Sequence, residues 1–228
     1  MDEKRKKQLS VGILLIGMPM IVIVSAFFFP LKSYAAASVM MAFLSCVLLL
    51  LGFDKHTTHV RRVVLIAVMT GLSVLSRLVF AAVPGFKPVT AIVVLTAMYL
   101  GKEAGFMTGA FTALISNIFF GQGPYTPFQM LSLGFIGCLA GVFQKKLKKK
   151  KVWLMIYGVL AGIFYSMLMD IWTVLWMEGK FVGSVYLAAI GTAIPYTVMY
   201  AVSNVVFLML LAEPFSRKMN RLVTKYRI

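Results

Sequence analysis

Hydrophobic residues run along the chain in long unbroken blocks, and polar residues gather in short clusters between them. The blocks fall at 11–29, 35–53, 63–83, 88–100, 104–120, 128–143, 152–177 and 186–212. A helix needs roughly 20 such residues to cross a bilayer. Hydrocarbon offers no partner to backbone N–H and C=O groups, so each crossing segment closes its own hydrogen bonds as a helix. A barrel is the other closed solution, but its strands alternate apolar and polar residues. The run from Val11 to Phe29 has no such alternation. The pattern predicts an all-α, polytopic membrane helix bundle of eight spans. The blocks at 88–100 and 128–143 are short, and are expected to tilt, to be buried by neighbours or to extend into their flanks.

Composition supports this reading. Of 228 residues, 61% are hydrophobic and only 13% are charged, and the mean hydropathy is +0.90. Soluble domains run nearer half apolar. The net charge of +16 raises nucleic acid as a partner. The placement of the charge argues against it, because the basic residues sit at block ends. Alternate connections hold 19 and 3 Lys and Arg. Cytoplasmic loops carry the excess, so both termini and the 54–62, 101–103 and 144–151 connections are expected inside. Residues 1–37 also have the outline of a signal peptide, with Ala35, Ala36 and Ala37 at its end. The run from 11 to 29 is long for the apolar part of one, and a retained span is the preferred reading.

Candidate chemistry is sparse. Cys46 and Cys138 both lie in apolar blocks and give no disulfide framework. The only histidines, His56 and His59, stand near Asp54 without a fourth metal ligand. There is no phosphate loop, no GxSxG serine and no HExxH pair. The sequence reads as a protein without a catalytic centre, cofactor or metal.

The connections expected outside are poor in charge and rich in Gly, Pro and aromatic residues. The most informative stretch is Gly121-Gln122-Gly123-Pro124-Tyr125-Thr126-Pro127-Phe128-Gln129-Met130. Prolines stiffen a turn and lower the entropy cost of holding it. Tyr125 offers a flat face, and Gln122, Thr126 and Gln129 offer directed hydrogen bonds. The turn around Phe86 has the same character. Arg77 and Asp170 fall at similar depth on different helices, about two turns from the outward ends. An intramembrane charge is costly unless paired or used, so they read as an ion pair, as ligand contacts, or as both. Trp172, Trp176 and Tyr196 complete the candidate substrate-binding set, with Asn117 and Tyr186 as further cavity candidates.

Residues from about 60 to the C-terminus resemble the substrate-binding S-components of energy-coupling factor (ECF) vitamin transporters. The stretch from Gly121 to Met130, followed by Gly134-Phe-Ile-Gly137, is similar to a motif of the cobalamin-type branch. The resemblance implies a six-helix core over 60–228 behind a two-span extension at 1–59. It implies a vitamin ligand taken from outside, with cobalamin as the lead and riboflavin or another vitamin next. It also implies a transmembrane coupling protein and two cytoplasmic ATPases as partners. Family members carry an Ala-x-x-x-Ala pattern where the coupling protein packs, and the matching positions here are Ala67 and Gly71. Rival readings are a lipid-modifying membrane enzyme and an assembly protein without ligand.

Overall fold

The computed structural model describes residues 56–226 and, before them, positions 16, 17, 20 and 40. Apart from those four positions, the blocks at 11–29 and 35–53, with Cys46 and Asp54, lie outside the described residues, as do the side chains of His56 and His59. The described elements are α1 (His56–Val79), α2 (Val89–Leu100), α3 (Lys102–Phe120), α4 (Thr126–Val142), α5 (Gln144–Lys149), α6 (Lys151–Glu178) and α7 (Gly183–Tyr226). No strand occurs among the described residues. The six expected core blocks each coincide with one of the longer helices, and α5 forms within the basic connection.

Local chemistry sets the boundaries. Pro88 stands at the start of α2. Gly101, at φ 94°, turns the chain between α2 and α3 in a conformation closed to most side chains. Pro127 occupies the first turn of α4, where its missing N–H costs nothing. A left-handed glycine, Gly179, ends α6.

Among the described residues, three stretches are long and apolar enough to cross a membrane: Val60–Val79, Lys151–Glu178 and Gly183–Leu222. The α2 helix is too short to do so alone. Its 12 residues reach about 18 Å at 1.5 Å per residue, against a hydrocarbon core of about 30 Å. It is instead surrounded by protein. All of its residues except Tyr99 are buried, and it packs on α1, α3, α4 and α7. The outer faces of the long helices are apolar too, as at Val64 and Val68 on α1, Leu160 on α6 and Leu210 on α7. Such faces are suited to lipid.

Glycine brings α3 and α4 together. A Cβ on Gly109 would lie 2.3 Å from the Leu133 carbonyl oxygen, and one on Gly137 would lie 2.2 Å from that of Gly105. Gly162 does the same between α6 and α7, where a Cβ would meet the Ala201 nitrogen at 2.7 Å. Small residues give membrane helices this close approach. Polar side chains within α3 are satisfied locally. The hydroxyls of Thr108, Thr112 and Ser116 each donate to the carbonyl one turn earlier.

One boundary differs clearly from the hydropathy reading. The last helix runs on to Tyr226 rather than stopping at 212. Its extension is polar and is held by charge. Glu213 accepts from Arg217 at 2.6 Å, one turn on, and lies 3.7 Å from Lys151 at the start of α6.

Candidate functional site

A cavity of about 160 Å³ opens inside the bundle, on the side of the turn that joins α1 to α2. Arg77 lines it from α1, Gly85 and Lys87 from the turn, and Thr90 from α2. Gln129 and Leu133 come from α4, Gly162 and Tyr165 from α6, and Tyr200 and Asn204 from α7. The glycine at 162 lets α6 and α7 close at this level. The two tyrosines meet edge to face with ring centroids 5.2 Å apart.

The cations are held in place. The Arg77 guanidinium donates to Ser116 Oγ at 2.5 Å, at the end of the α3 hydroxyl ladder. It also lies 5.1 Å from the centre of the Phe120 ring. Lys87 Nζ lies 5.3 Å from the centre of that same ring. Burial, and then the neighbouring Arg77 charge, pull the Lys87 ammonium below its ordinary pKa. The Lys87 backbone is fixed at two points by the Ser203 hydroxyl on α7.

Gln129 and Thr126, both expected from sequence, are buried in one network with Asn117. Asn117 Nδ2 donates to Thr126 Oγ1 at 3.0 Å and to Gln129 Oε1 at 2.9 Å. Thr126 also accepts from the Gly123 N–H at 3.2 Å and donates to Gln122 Oε1 at 3.0 Å. Of these residues Gln129 reaches the cavity. Gln122 is exposed, and its Nε2 donates to the Leu114 carbonyl at 2.8 Å. Tyr125 donates to the Gly121 carbonyl, and its ring meets Trp172 edge on at 5.6 Å. The turn is thus a rigid frame beside the cavity, and Gln129 is its contact with it.

Other expected site residues stand elsewhere. Phe86 packs on Phe207 and Phe80, with centroids 5.0 and 6.5 Å away, and does not line the cavity. Trp172 and Trp176 stack at 6.1 Å near the end of α6, with Trp176 exposed. Tyr196 is 55% exposed. One turn further on, Tyr200 takes the place expected of it. Arg77 and Asp170 form no ion pair, since among the described residues the ion pairs join Lys102 to Glu103, and Lys151 and Arg217 to Glu213. Similar depth did not bring them together because α1 packs on α2 and α3 whereas α6 packs on α4 and α7. Ala67 and Gly71 face outward, and a Cβ on Gly71 would meet nothing within 4 Å.

Sequence reading missed Lys87, Tyr165, Tyr200 and Asn204 as cavity residues. A signal was present for two of them. Tyr200 and Asn204 are four apart in an apolar block, so they share one helix face. Among the described residues no group of three or more His, Cys, Asp or Glu gathers to hold a metal. Hydrogen-bonding amides, phenols and two cations equip the cavity to hold a polar molecule inside an apolar bundle.

A family model described as "ECF-type riboflavin transporter, S component" matches residues 57–221. No curated protein and no solved structure matches the chain. The family match starts at the head of α1 and runs into the polar extension of α7, so it takes in every element that lines the cavity. On that match the chain belongs to the family of ECF-type riboflavin transporter S components, which are non-enzymatic components of membrane transport.

Proposed function

We propose that this chain is the vitamin-binding subunit of an ATP-driven importer, and that it takes its ligand from the outer face into the cavity at Arg77, Lys87, Gln129, Tyr165, Tyr200 and Asn204. The observation that carries this reading is the cavity itself. Buried polar groups cost free energy unless they are partnered, and a membrane bundle gains nothing by gathering them around a void. A polar ligand that completes their hydrogen bonds gives the arrangement a use.

Riboflavin is the favoured ligand. The family description names it, and a flat ring system with a polyhydroxyl tail suits phenol faces and amides. A cobalamin-type ligand, which the family description does not name, stands second. The charge asymmetry of the connections supports a cavity that opens outward, with both termini in the cytoplasm. A transmembrane coupling protein would pack on α1 at Ala67 and Gly71. Their outward aspect and the open space around Gly71 support that role. Two cytoplasmic ATPases would supply the energy.

Titration of the detergent-purified protein with riboflavin, followed by flavin fluorescence, tests the reading, with cobalamin and other vitamins in parallel. Saturable one-to-one binding of riboflavin is expected. Binding of cobalamin with no response to riboflavin reverses the order of ligands, and no binding of any vitamin removes the proposal.

A further inference from the structure

We propose that the cavity recognises a negatively charged group on its ligand, a phosphate or a carboxylate, through Arg77 and Lys87. The inference rests on the reading of this cavity as the ligand site and adds a substrate class to it.

Three observations carry it. First, both cationic side chains line the cavity, and both stand against one ring, that of Phe120. Two like charges are thereby held as neighbours, an arrangement that repels unless an anion lies between them. Second, among the described residues no carboxylate lines the cavity beside them. Four acidic residues occur in the described segment, Glu103, Asp170, Glu178 and Glu213, and none lines the cavity. Glu103 pairs instead with Lys102, and Glu213 with Lys151 and Arg217. Third, both residues are held in place. Arg77 is anchored on Ser116, and the Lys87 backbone is clamped by Ser203. A lysine serving solvation alone extends freely into water, whereas this one is half-buried against a ring.

The balance of charge decides between a neutral and an anionic ligand. A neutral vitamin hydrogen-bonds the amides and phenols but brings no counter-charge to the two cations beside the Phe120 ring. A phosphate or carboxylate offsets both, and hydrogen bonds between ionised partners are about twice as strong as neutral ones. The flavin ring of the favoured ligand remains compatible with this if its tail ends in a phosphate. A carboxylate vitamin meets the same requirement without a flavin.

The test compares matched probes on the purified full chain. Riboflavin and riboflavin 5′-phosphate differ by the anion alone, and pantothenate, biotin and nicotinate supply the carboxylate arm. An anionic probe is expected to bind at least tenfold tighter than neutral riboflavin, and Lys87→Gln is expected to reduce that preference at least tenfold. A tighter flavin phosphate identifies the phosphate source, and a tighter carboxylate vitamin identifies the other. Riboflavin binding as tightly as its phosphate and the carboxylates overturns the proposal. So does a preference that survives in both Lys87→Gln and Arg77→Gln. If no vitamin binds, inorganic phosphate is the probe and the melting temperature the readout. A rise that Lys87→Gln abolishes keeps the anion site while removing the vitamin reading. No rise removes both.

Discussion

Ser203 holds both backbone polar groups of Lys87: its hydroxyl accepts the Lys87 N–H at 2.9 Å and lies 3.1 Å from the Lys87 carbonyl, to which it donates. These bonds join the turn after α1 to the middle of α7, beside the cavity that Lys87 lines. Ser203 is 1% exposed, so water does not replace the hydroxyl when it is lost. Leaving a buried donor unsatisfied costs about 1–3 kcal/mol. Ser203→Ala is therefore expected to release the turn and weaken ligand binding about tenfold at 1.4 kcal/mol per decade. Titration of the purified variant checks this. Unchanged affinity means that the turn keeps its place without the clamp.

The α3–α4 contact gives a prediction about folding rather than binding. A methyl group on Gly137 has no room, because the Gly105 carbonyl oxygen would stand 2.2 Å away. Overpacking of this kind typically costs about 1–3 kcal/mol. Gly137→Ala is expected to lower the yield of folded protein and its melting temperature. Gly191→Ala, where the space is open, is expected to change neither. Equal behaviour of the two variants in a detergent melting assay contradicts the close approach.

Gly71 tests the partner face. It stands on the exposed side of α1 with free space around it, so Gly71→Trp disturbs nothing inside the bundle. Vitamin uptake by cells is expected to fall to background, while binding by the isolated protein stays within about twofold, an affinity change under roughly 0.5 kcal/mol. Loss of binding along with uptake assigns the position to internal structure.

The sequence made the helices legible but not their faces. Block length alone located six of the described helices, because hydrocarbon demands long apolar runs. It also marked α2 as short, which the surrounding helices explain. The end of α7 escaped because the helix leaves the apolar zone and continues on charge pairs such as Glu213 with Arg217, to which hydropathy is blind. Orientation about the axis escaped for a deeper reason. In a membrane bundle the lipid side and the core side are both apolar, so the periodicity that marks a buried face in water is faint. Tyr196 and Tyr200 were indistinguishable on that basis, yet one is exposed and the other lines the cavity. Arg77 and Asp170 could be given a depth but not a bearing. The hydrogen-bonding turn at 121–130 was legible, since its polar residues have no other use in an apolar chain. Its division into frame and contact was not.

Orientation across the membrane is open to a direct measurement. Alkaline phosphatase folds only outside the cytoplasm, so fusion after Gln122 is expected to be active and fusion after Lys148 inactive. The motive is the 19 to 3 partition of Lys and Arg between alternate connections. The opposite pattern places the cavity mouth on the inner side and ends the proposal of capture from outside.

Gln129 and Tyr125 separate the cavity from the turn beside it. Gln129 is 9% exposed and lines the cavity, and its Oε1 takes one hydrogen of the Asn117 amide at 2.9 Å. Asn117 is fully buried, so Gln129→Ala both removes a ligand contact and strands a donor. A lost partner of this kind costs about 1–3 kcal/mol, so binding is expected to weaken roughly tenfold or more at 1.4 kcal/mol per decade. Tyr125 touches the ligand space only through the frame. Its hydroxyl closes the turn onto Gly121, and its ring leans on Trp172. Tyr125→Ala is therefore expected to weaken binding by less, under about tenfold. Tyr196→Ala, on the exposed face of α7, is expected to leave affinity unchanged. Gln129→Glu sharpens the comparison, because it sets a carboxylate in the cavity with Arg77 and Lys87 and so competes with an anionic ligand. It is expected to be worse than Gln129→Ala for an anionic ligand and no worse for a neutral one. The measurement is titration of each variant after its melting temperature has been matched to wild type. If Tyr125→Ala abolishes binding while Gln129→Ala retains it, the ligand lies on the turn and the Trp172–Trp176 stack, and the cavity is a structural void.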